Sequence, residues 1–253
     1  MLRHGELSVH GRLIDASNAT LAAVCVLDGV EVECVYKPVA GERGLWDFPG
    51  VRLADREVAT ARLAELSGWG HVPATVLRTE GPFGEGMCQQ WREPSEERDA
   101  VAIRAPDDVA DGWLAVVRGV DHEGRDVAVV HEDSPGVREV ALLDVLANNA
   151  DRKGGHLFYD QDERLCAIDH GVTFHPEPKL RTVLWGFAGR PLSDEELGQV
   201  ERVVRAADED PELRTLLGVQ ERTALSSRAR ELLQAARFPE PDAHRSALPW
   251  PIF

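Results

Sequence analysis

The chain has 253 residues, 43% of them hydrophobic and 28% charged, enough for one large domain or two lobes that share a cleft. Its 44 acidic and 28 basic residues give a formal net charge of −16, which argues against general nucleic-acid binding and against docking on anionic lipid. Apolar runs stay well short of the ~18 residues of a membrane span, and we expect no signal peptide. The four cysteines form no C-x-x-C pair. We therefore expect a cytoplasmic protein with reduced thiols.

The N-terminal residues predict three antiparallel strands, at 7–14, Leu21–Leu27 and Val30–Pro38. Asp28-Gly29 between the last two is a strong hairpin signal. The turn between the first two strands is built from small and polar residues, which permit close approach of a ligand and can hydrogen-bond phosphate oxygens. An ordinary polar hairpin loop explains this turn equally well.

Lys37 lies inside the third strand, among apolar residues, where a cation is unusual. An edge-strand lysine that points to water is the simple explanation. The residues that follow predict a helix at 55–66 with a stop at Gly68, and then a fourth strand at 72–78 and a fifth at 86–91.

The middle of the chain is charged and contains proline at 95–111, which predicts a linker or mobile loop. Residues 113–120 and 127–131 predict a hairpin across the turn at 121–124.

The next stretch contains the residues that most indicate a functional site. An apolar helical run ends shortly before the polar loop 151–156, whose sequence is DRKGGH. Two short strands, at 157–159 and 165–168, predict a hairpin that leads straight into Asp169. The hairpin would therefore bring Asp151 and Asp169 to the same end of one small sheet.

The C-terminal part begins with a segment at 175–181 whose basic residues would either contact an acidic or phosphorylated substrate or be solvated. A serine followed by three acidic residues predicts the start of a helix that extends to about residue 206. A second helix is predicted at 221–237, and the proline-containing tail 238–253 is predicted to be extended along this lobe.

These motifs resemble the catalytic and metal loops of the protein-kinase-like fold, in which a loop Asp is followed, after two strands, by an Asp before a glycine. The motif Asn-Ala-Asp-Arg-Lys-x-x-His is similar to the corresponding motif of the phosphatidylinositol 3-/4-kinase-like branch and of HipA-like bacterial Ser/Thr kinases. Over essentially its full length the chain resembles a bacterial family labelled phosphatidylinositol-kinase-like. The resemblance implies an α+β, two-lobed fold: a small antiparallel-sheet nucleotide-binding lobe with one helix at 1–92, and a mainly helical catalytic lobe at 93–253 with a hairpin insertion near 112–132.

The function that this resemblance implies is an ATP-dependent phosphotransferase, which moves the γ-phosphate to a hydroxyl of an unidentified protein or small-molecule acceptor. Asp151 would accept the proton of that hydroxyl, and Lys153 would offset charge on the transferred group. Asp169 and His156 would hold Mg²⁺ or Mn²⁺. His156 stands where kinases have an asparagine, and imidazole suits softer ions than Mg²⁺ better.

The resemblance also implies a nucleotide site. Lys37 would hold the α- and β-phosphates, steadied by a carboxylate of the helix at 55–66. Glu57 is favoured for this partner over Glu65, which lies near the helix end. The first turn would cover the phosphates, and the backbone after the fifth strand would pair with adenine. The implied nucleotide contacts are Ser17, Asn18, Ala19, Thr20, Lys37, Glu57, Gln90 and Trp91.

Three other functions compete with a kinase. A pseudokinase would bind nucleotide without turnover, and an AMP-transferring enzyme would use the same site to move a different group. A zinc-dependent hydrolase would use His156, Asp169, His170 and His175, since three imidazoles and a carboxylate suit zinc. The acceptor is not named by the sequence, although the negative charge disfavours a lipid.

Overall fold

The computed structural model describes residues 1–13 and 18–253. Five strands come from the N-terminal part: β1 (Glu6–Arg12), β2 (Leu21–Leu27), β3 (Val30–Pro38), β4 (Thr75–Arg78) and β5 (Gly86–Gln90). They form one antiparallel sheet in the order β1-β2-β3-β5-β4. The alternation of side chains along each strand gives this sheet two faces. One face has its own small core, in which Cys25, Cys34 and Cys88 are buried as free thiols around Tyr36.

Helix α1 (Leu53–Ser67) links this sheet to the rest of the molecule. Its first backbone N–H groups, from Leu53 and Ala54, donate to the carboxylate of Glu42 at 2.9 and 2.8 Å, which suits the positive end of the helix dipole. The helix ends at Gly68, whose φ of 85° is accessible to a residue without a Cβ. Val58 and Leu63 are buried in the main core together with residues of the C-terminal helices.

A second, three-stranded sheet follows, made of β6 (Val101–Arg104), β7 (Trp113–Val120) and β8 (Asp126–Glu132). The strands pair in the order β6-β8-β7, so the predicted hairpin is the β7–β8 part of this sheet. The prediction of a linker over 95–111 was wrong for β6. This strand is four residues long and pairs with β8 thirty residues later, a partner that no local pattern reveals.

The C-terminal part contains four helices and one small hairpin. The helices are α2 (Pro135–Ala147), α3 (Asp194–Glu209), α4 (Pro211–Leu216) and α5 (Val219–Ala235), and the hairpin consists of β9 (Leu157–Tyr159) and β10 (Leu165–Ala167). Helix α2 is apolar on almost every side because the core surrounds it. The capping box predicted for α3 is present between Ser193 and Glu196.

The fold class predicted from the sequence is confirmed: the chain is α+β, with an antiparallel-sheet N-terminal region and a mainly helical C-terminal part. The tail after α5 contains no regular element and runs back over the C-terminal part, where the Thr182 N–H donates to the Ala247 carbonyl at 3.1 Å. Among the helices that the structure describes, none combines the length and the hydropathy that crossing a bilayer requires.

Candidate active site

Three charged side chains from distant parts of the chain meet beside the N-terminal sheet. The ammonium group of Lys37, near the end of β3, lies 2.6 Å from Glu57 Oε1 on α1 and 3.0 Å from Asp169 Oδ1 after β10. Lys37 is paired with Glu57 and not with Glu65, whose side chain is 71% exposed and bonds to Arg62. Lys37 therefore joins the sheet, the helix and the β9–β10 hairpin at one point.

Burial and the attraction between opposite charges act against each other in setting the pKa values of these groups. Burial by itself would lower the pKa of Lys37, but the carboxylates of Asp169 and Glu57 outweigh it and raise that pKa above its ordinary value. Lys37 in turn holds the pKa of Asp169 well below its usual range. Burial raises the pKa of Glu57, against the attraction of Lys37. We take all three groups as charged, because Glu57 accepts hydrogen bonds on both oxygens, from Lys37 and from the His170 backbone N–H at 2.8 Å.

Asp169 adopts a left-handed backbone conformation, which is uncommon among residues other than glycine. Its φ is 60°, in the left-handed region, where a residue with a Cβ is strained by about 1–3 kcal/mol. The flanking backbone is bonded on both sides: the Ile168 carbonyl accepts from Arg152 Nη1 at 2.9 Å, and the His170 N–H donates to Glu57. Strained residues of this kind are concentrated at functional sites. Here the strain leaves the Asp169 side chain 47% exposed and close to Lys37.

The loop after α2 presents Asp151 near this cluster. Its backbone N–H donates to Asn149 Oδ1 at 3.0 Å, and Lys153 Nζ lies 3.3 Å from its Oδ2. Burial raises the pKa of Asp151, Lys153 partly opposes this, and the negative charge of Asp169 raises the pKa further. A carboxylate with a raised pKa is a better proton acceptor than an ordinary aspartate.

A fully buried ion pair, not predicted from the sequence, anchors this loop. The Arg152 guanidinium and the Asp144 carboxylate of α2 are both 0% exposed and lie 2.9 Å apart. Arg152 also contacts His170 Nε2 at 2.6 Å, so it connects the Asp151 loop to the segment after Asp169. The signal that could have revealed the pair is Asp144 itself, a carboxylate that interrupts the apolar run 140–146 of α2.

The predicted metal ligands, His156 and Asp169, are adjacent, with His156 Nε2 3.3 Å from Asp169 Oδ2. Burial lowers the pKa of His156 to about 4, so its imidazole is neutral at pH 7 and can act as a ligand. Its buried Nδ1 has no hydrogen-bond partner in the described part of the chain. One imidazole and one carboxylate fit a divalent ion that takes its remaining ligands from phosphates and water.

The predicted phosphate-covering turn is only partly described, and Ser17 lies outside the described residues. Asn18 Oδ1 accepts from the Arg43 N–H at 2.9 Å. The Ala19 N–H donates to the Gly41 carbonyl at 3.4 Å, and Thr20 is buried. This end of the turn therefore packs against the residues that follow β3.

The predicted hinge residues have their backbone donors engaged. The Gln90 N–H donates to the Ala74 carbonyl and the Trp91 N–H to the Glu33 carbonyl, both at 2.9 Å. Adenine recognition at this position would therefore use carbonyl groups or the residues that follow Trp91.

Comparisons with known proteins identify a relative. No protein-family model matches the chain. A solved structure, the Helicobacter pylori proinflammatory kinase CtkA, is 9% identical with a TM-score of 0.42, covering 93% of this chain and 94% of that one. Protein Rv2133c of Mycobacterium tuberculosis is 42% identical over 265 residues, covering 100% of this chain and 94% of that protein. At this identity and coverage, the chain belongs to the family of Protein Rv2133c.

Proposed function

We propose that this protein is an ATP-dependent phosphotransferase, an atypical kinase that moves the γ-phosphate of ATP to a hydroxyl of a protein or small-molecule acceptor. The observation that carries the proposal is the meeting of Lys37, Glu57 and Asp169, 2.6 and 3.0 Å from the lysine nitrogen. A lysine held by a helix glutamate next to a strained aspartate suits the binding of nucleotide phosphates.

In this proposal each charged group has one task. Lys37 binds the α- and β-phosphates, and Lys153 offsets charge on the γ-phosphoryl group. Asp151 accepts the proton of the acceptor hydroxyl while the new O–P bond forms and the bond to the departing ADP oxygen breaks. Asp169 and His156 would hold a Mg²⁺ or Mn²⁺ ion. When bound, this ion would neutralise part of the negative charge of the phosphates.

The requirement for an ion follows from the charges. Lys37, Glu57 and Asp169 together have a net charge of −1, which by itself repels a triphosphate. The neutral His156 beside Asp169 favours Mn²⁺ over Mg²⁺ relative to an enzyme with asparagine at this position. Within the kinase-like fold we assign the chain to the phosphatidylinositol 3-/4-kinase-like and HipA-like branch, acting in the cytoplasm, with a lipid acceptor disfavoured by the net charge of −16.

The test is a melting-temperature screen with ATP and either Mg²⁺ or Mn²⁺. ATP at about a hundred times its Kd adds about 2.7 kcal/mol to the unfolding free energy, which raises the Tm by about 5–11 °C. The rise should disappear in Asp169→Asn and persist in Asp162→Asn, a matched change in the exposed β9–β10 turn. Absence of any rise in the wild type with either ion would refute the nucleotide site.

Two alternatives within the same site are separated by turnover. Removing the proton acceptor in Asp151→Asn should slow transfer about 10²–10³-fold with ATP binding retained. Binding without turnover in the wild type would indicate a pseudokinase. Mass spectrometry of the modified product would distinguish an added phosphoryl group from an added AMP.

The contacts of the imidazoles disfavour a zinc hydrolase. His170 Nε2 is engaged with Arg152, and His175 Nδ1 accepts from the Glu177 N–H at 3.0 Å. Within residues 1–13 and 18–253, no group of three or more His, Cys, Asp or Glu side chains is arranged to hold a metal ion. Stoichiometric zinc in purified protein without ATP binding would reverse this preference.

A further inference from the structure

An open cavity of about 810 Å³ lies between the segment that follows Phe174, the helices α2 and α5, and the C-terminal tail. This volume is in the range of small-molecule sites, which span about 300–1,000 Å³. Its walls include Val145 of α2, Leu180, Leu232 of α5 and Phe238 of the tail. The cavity is therefore largely apolar, and it plays no part in the nucleotide site proposed above.

A cation without a counterion lies in this apolar wall. Arg228 of α5 donates from Nε to the Leu146 carbonyl at 3.1 Å and from Nη1 to the His175 carbonyl at 3.3 Å, but its buried Nη2 has no partner among the residues that the structure describes. Burial lowers the pKa of Arg228 to about 10, and Glu231 opposes this only in part without forming an ion pair. A half-buried guanidinium whose Nη2 is buried without a partner, and which has no carboxylate partner, is unfavourable, and an anion in the cavity would relieve this.

The lining of the cavity as a whole, with Arg228 included, is basic. Five basic residues line it against three acidic ones, in a chain whose net charge is −16. Lys179 and Arg181 share the single carboxylate of Asp47, and Arg245 is paired with Asp242, so these cations are compensated in part where they lie. Arg237 also lacks an ion pair among the described residues, but it is exposed to solvent, so Arg228 is the lining cation that combines a missing counterion with a buried, unpartnered nitrogen.

We propose that this cavity is a binding site for a small molecule that has an apolar body and one anionic group, carboxylate, phosphate or sulfonate, with the anion directed to Arg228. The site stands next to the loop of Asp151, because the Arg181 N–H and carbonyl pair with Asn149 and Arg152 on either side of that residue. The proposal does not depend on nucleotide binding.

The test uses 1-anilinonaphthalene-8-sulfonate, an aromatic body with one sulfonate, and its uncharged counterpart N-phenyl-1-naphthylamine. The full-length protein should bind the sulfonate at one site, and Trp46 and Trp185, which line the cavity, should be quenched. Arg228→Met should weaken the sulfonate by about 10–100-fold and leave the neutral dye nearly unchanged, because only the charge-assisted bond is lost.

A second pair of variants separates the site from the stability of the protein. Ala235→Trp fills the cavity from the exposed end of α5 and should weaken both dyes, whereas Gln234→Trp, the adjacent exposed position outside the cavity, should weaken neither. The inference is overturned if the wild type fails to bind the sulfonate, if Ala235→Trp binds it as tightly as the wild type, or if folded Arg228→Met does so. If Arg228→Met does not fold, the Ala235 and Gln234 pair decides the question.

Discussion

Replacing Asp144 by leucine is predicted to be the most damaging single change in the C-terminal part. Asp144 accepts from Arg152 Nε at 2.9 Å and Nη2 at 3.0 Å, from Asn149 Nδ2 at 2.8 Å and from Thr182 Oγ1 at 3.3 Å. Asp144→Leu removes all four of these hydrogen bonds. It leaves a whole guanidinium charge at a position that is 0% exposed, where water cannot reach it.

The expected cost follows from that geometry. Removing one partner of a buried ion pair destabilises a protein by about 3–5 kcal/mol, because the other charge stays buried and uncompensated. In a chain of this size each kcal/mol lowers the Tm by about 2–4 °C, so the Tm should fall by about 6–20 °C. Urea unfolding followed by tryptophan fluorescence measures the free energy directly.

The double variant Asp144→Leu with Arg152→Met tests the reason for this loss. Two apolar side chains in place of a buried pair are often neutral or stabilising, so the double variant should recover the part of the loss that comes from the uncompensated guanidinium. It should remain about 1–3 kcal/mol below the wild type, because the buried Asn149 Nδ2 still lacks its acceptor. It should still lose phosphoryl transfer, because Arg152 ties the Asp151 loop to the Ile168 carbonyl and to His170. A cost below about 1 kcal/mol for Asp144→Leu, or a double variant as unstable as the single one, would refute the argument.

The remaining predictions concern the charged residues around Lys37 and the buried imidazole of His131. Glu57→Gln should lower kcat/KM for ATP by about 10–100-fold, because Lys37 loses a buried carboxylate partner. The control is Glu65→Gln, a change at an exposed position of the same helix. His156→Asn supplies an amide oxygen, so the ATP-induced rise in Tm should increase with Mg²⁺ relative to Mn²⁺, and an unchanged ratio would contradict the metal assignment. Burial lowers the pKa of His131, whose Nε2 accepts from a backbone N–H at 3.1 Å, so the folded state keeps it neutral while the unfolded chain takes up a proton near pH 6.5. The unfolding free energy should therefore decrease as the pH falls below about 6.5, and His131 should contribute up to about 1.4 kcal/mol per pH unit to that slope. His131→Gln should reduce the slope by this share without abolishing it, because burial lowers the pKa of His156 and His170 as well, whereas the 86% exposed His122→Gln should leave the slope unchanged.

Local patterns located most of the regular elements. The predicted strands at Leu21–Leu27 and Val30–Pro38 have the same limits in the structure, because Asp28-Gly29 forces a tight turn between two apolar runs. The helix predicted at 55–66 spans Leu53–Ser67, and its end at Gly68 was predicted from the glycine alone. Helix α4 was not predicted, because six residues are too few to show a helical period.

The amino-acid sequence alone determined where chain direction changes and which charged residues interrupt apolar runs, because turns, caps and periodicity act over a few neighbouring residues. The sequence singled out Lys37, Asp151 and Asp169 as candidate site residues, but it did not give the distances between their side chains. Only the tertiary structure decided that Lys37 and Asp169, 132 residues apart, lie within 3.0 Å, that Asp144 neutralises Arg152, and that Arg228 has no counterion. These facts depend on how helices and sheets pack, and packing depends on contacts between residues far apart in the chain, which no local pattern contains.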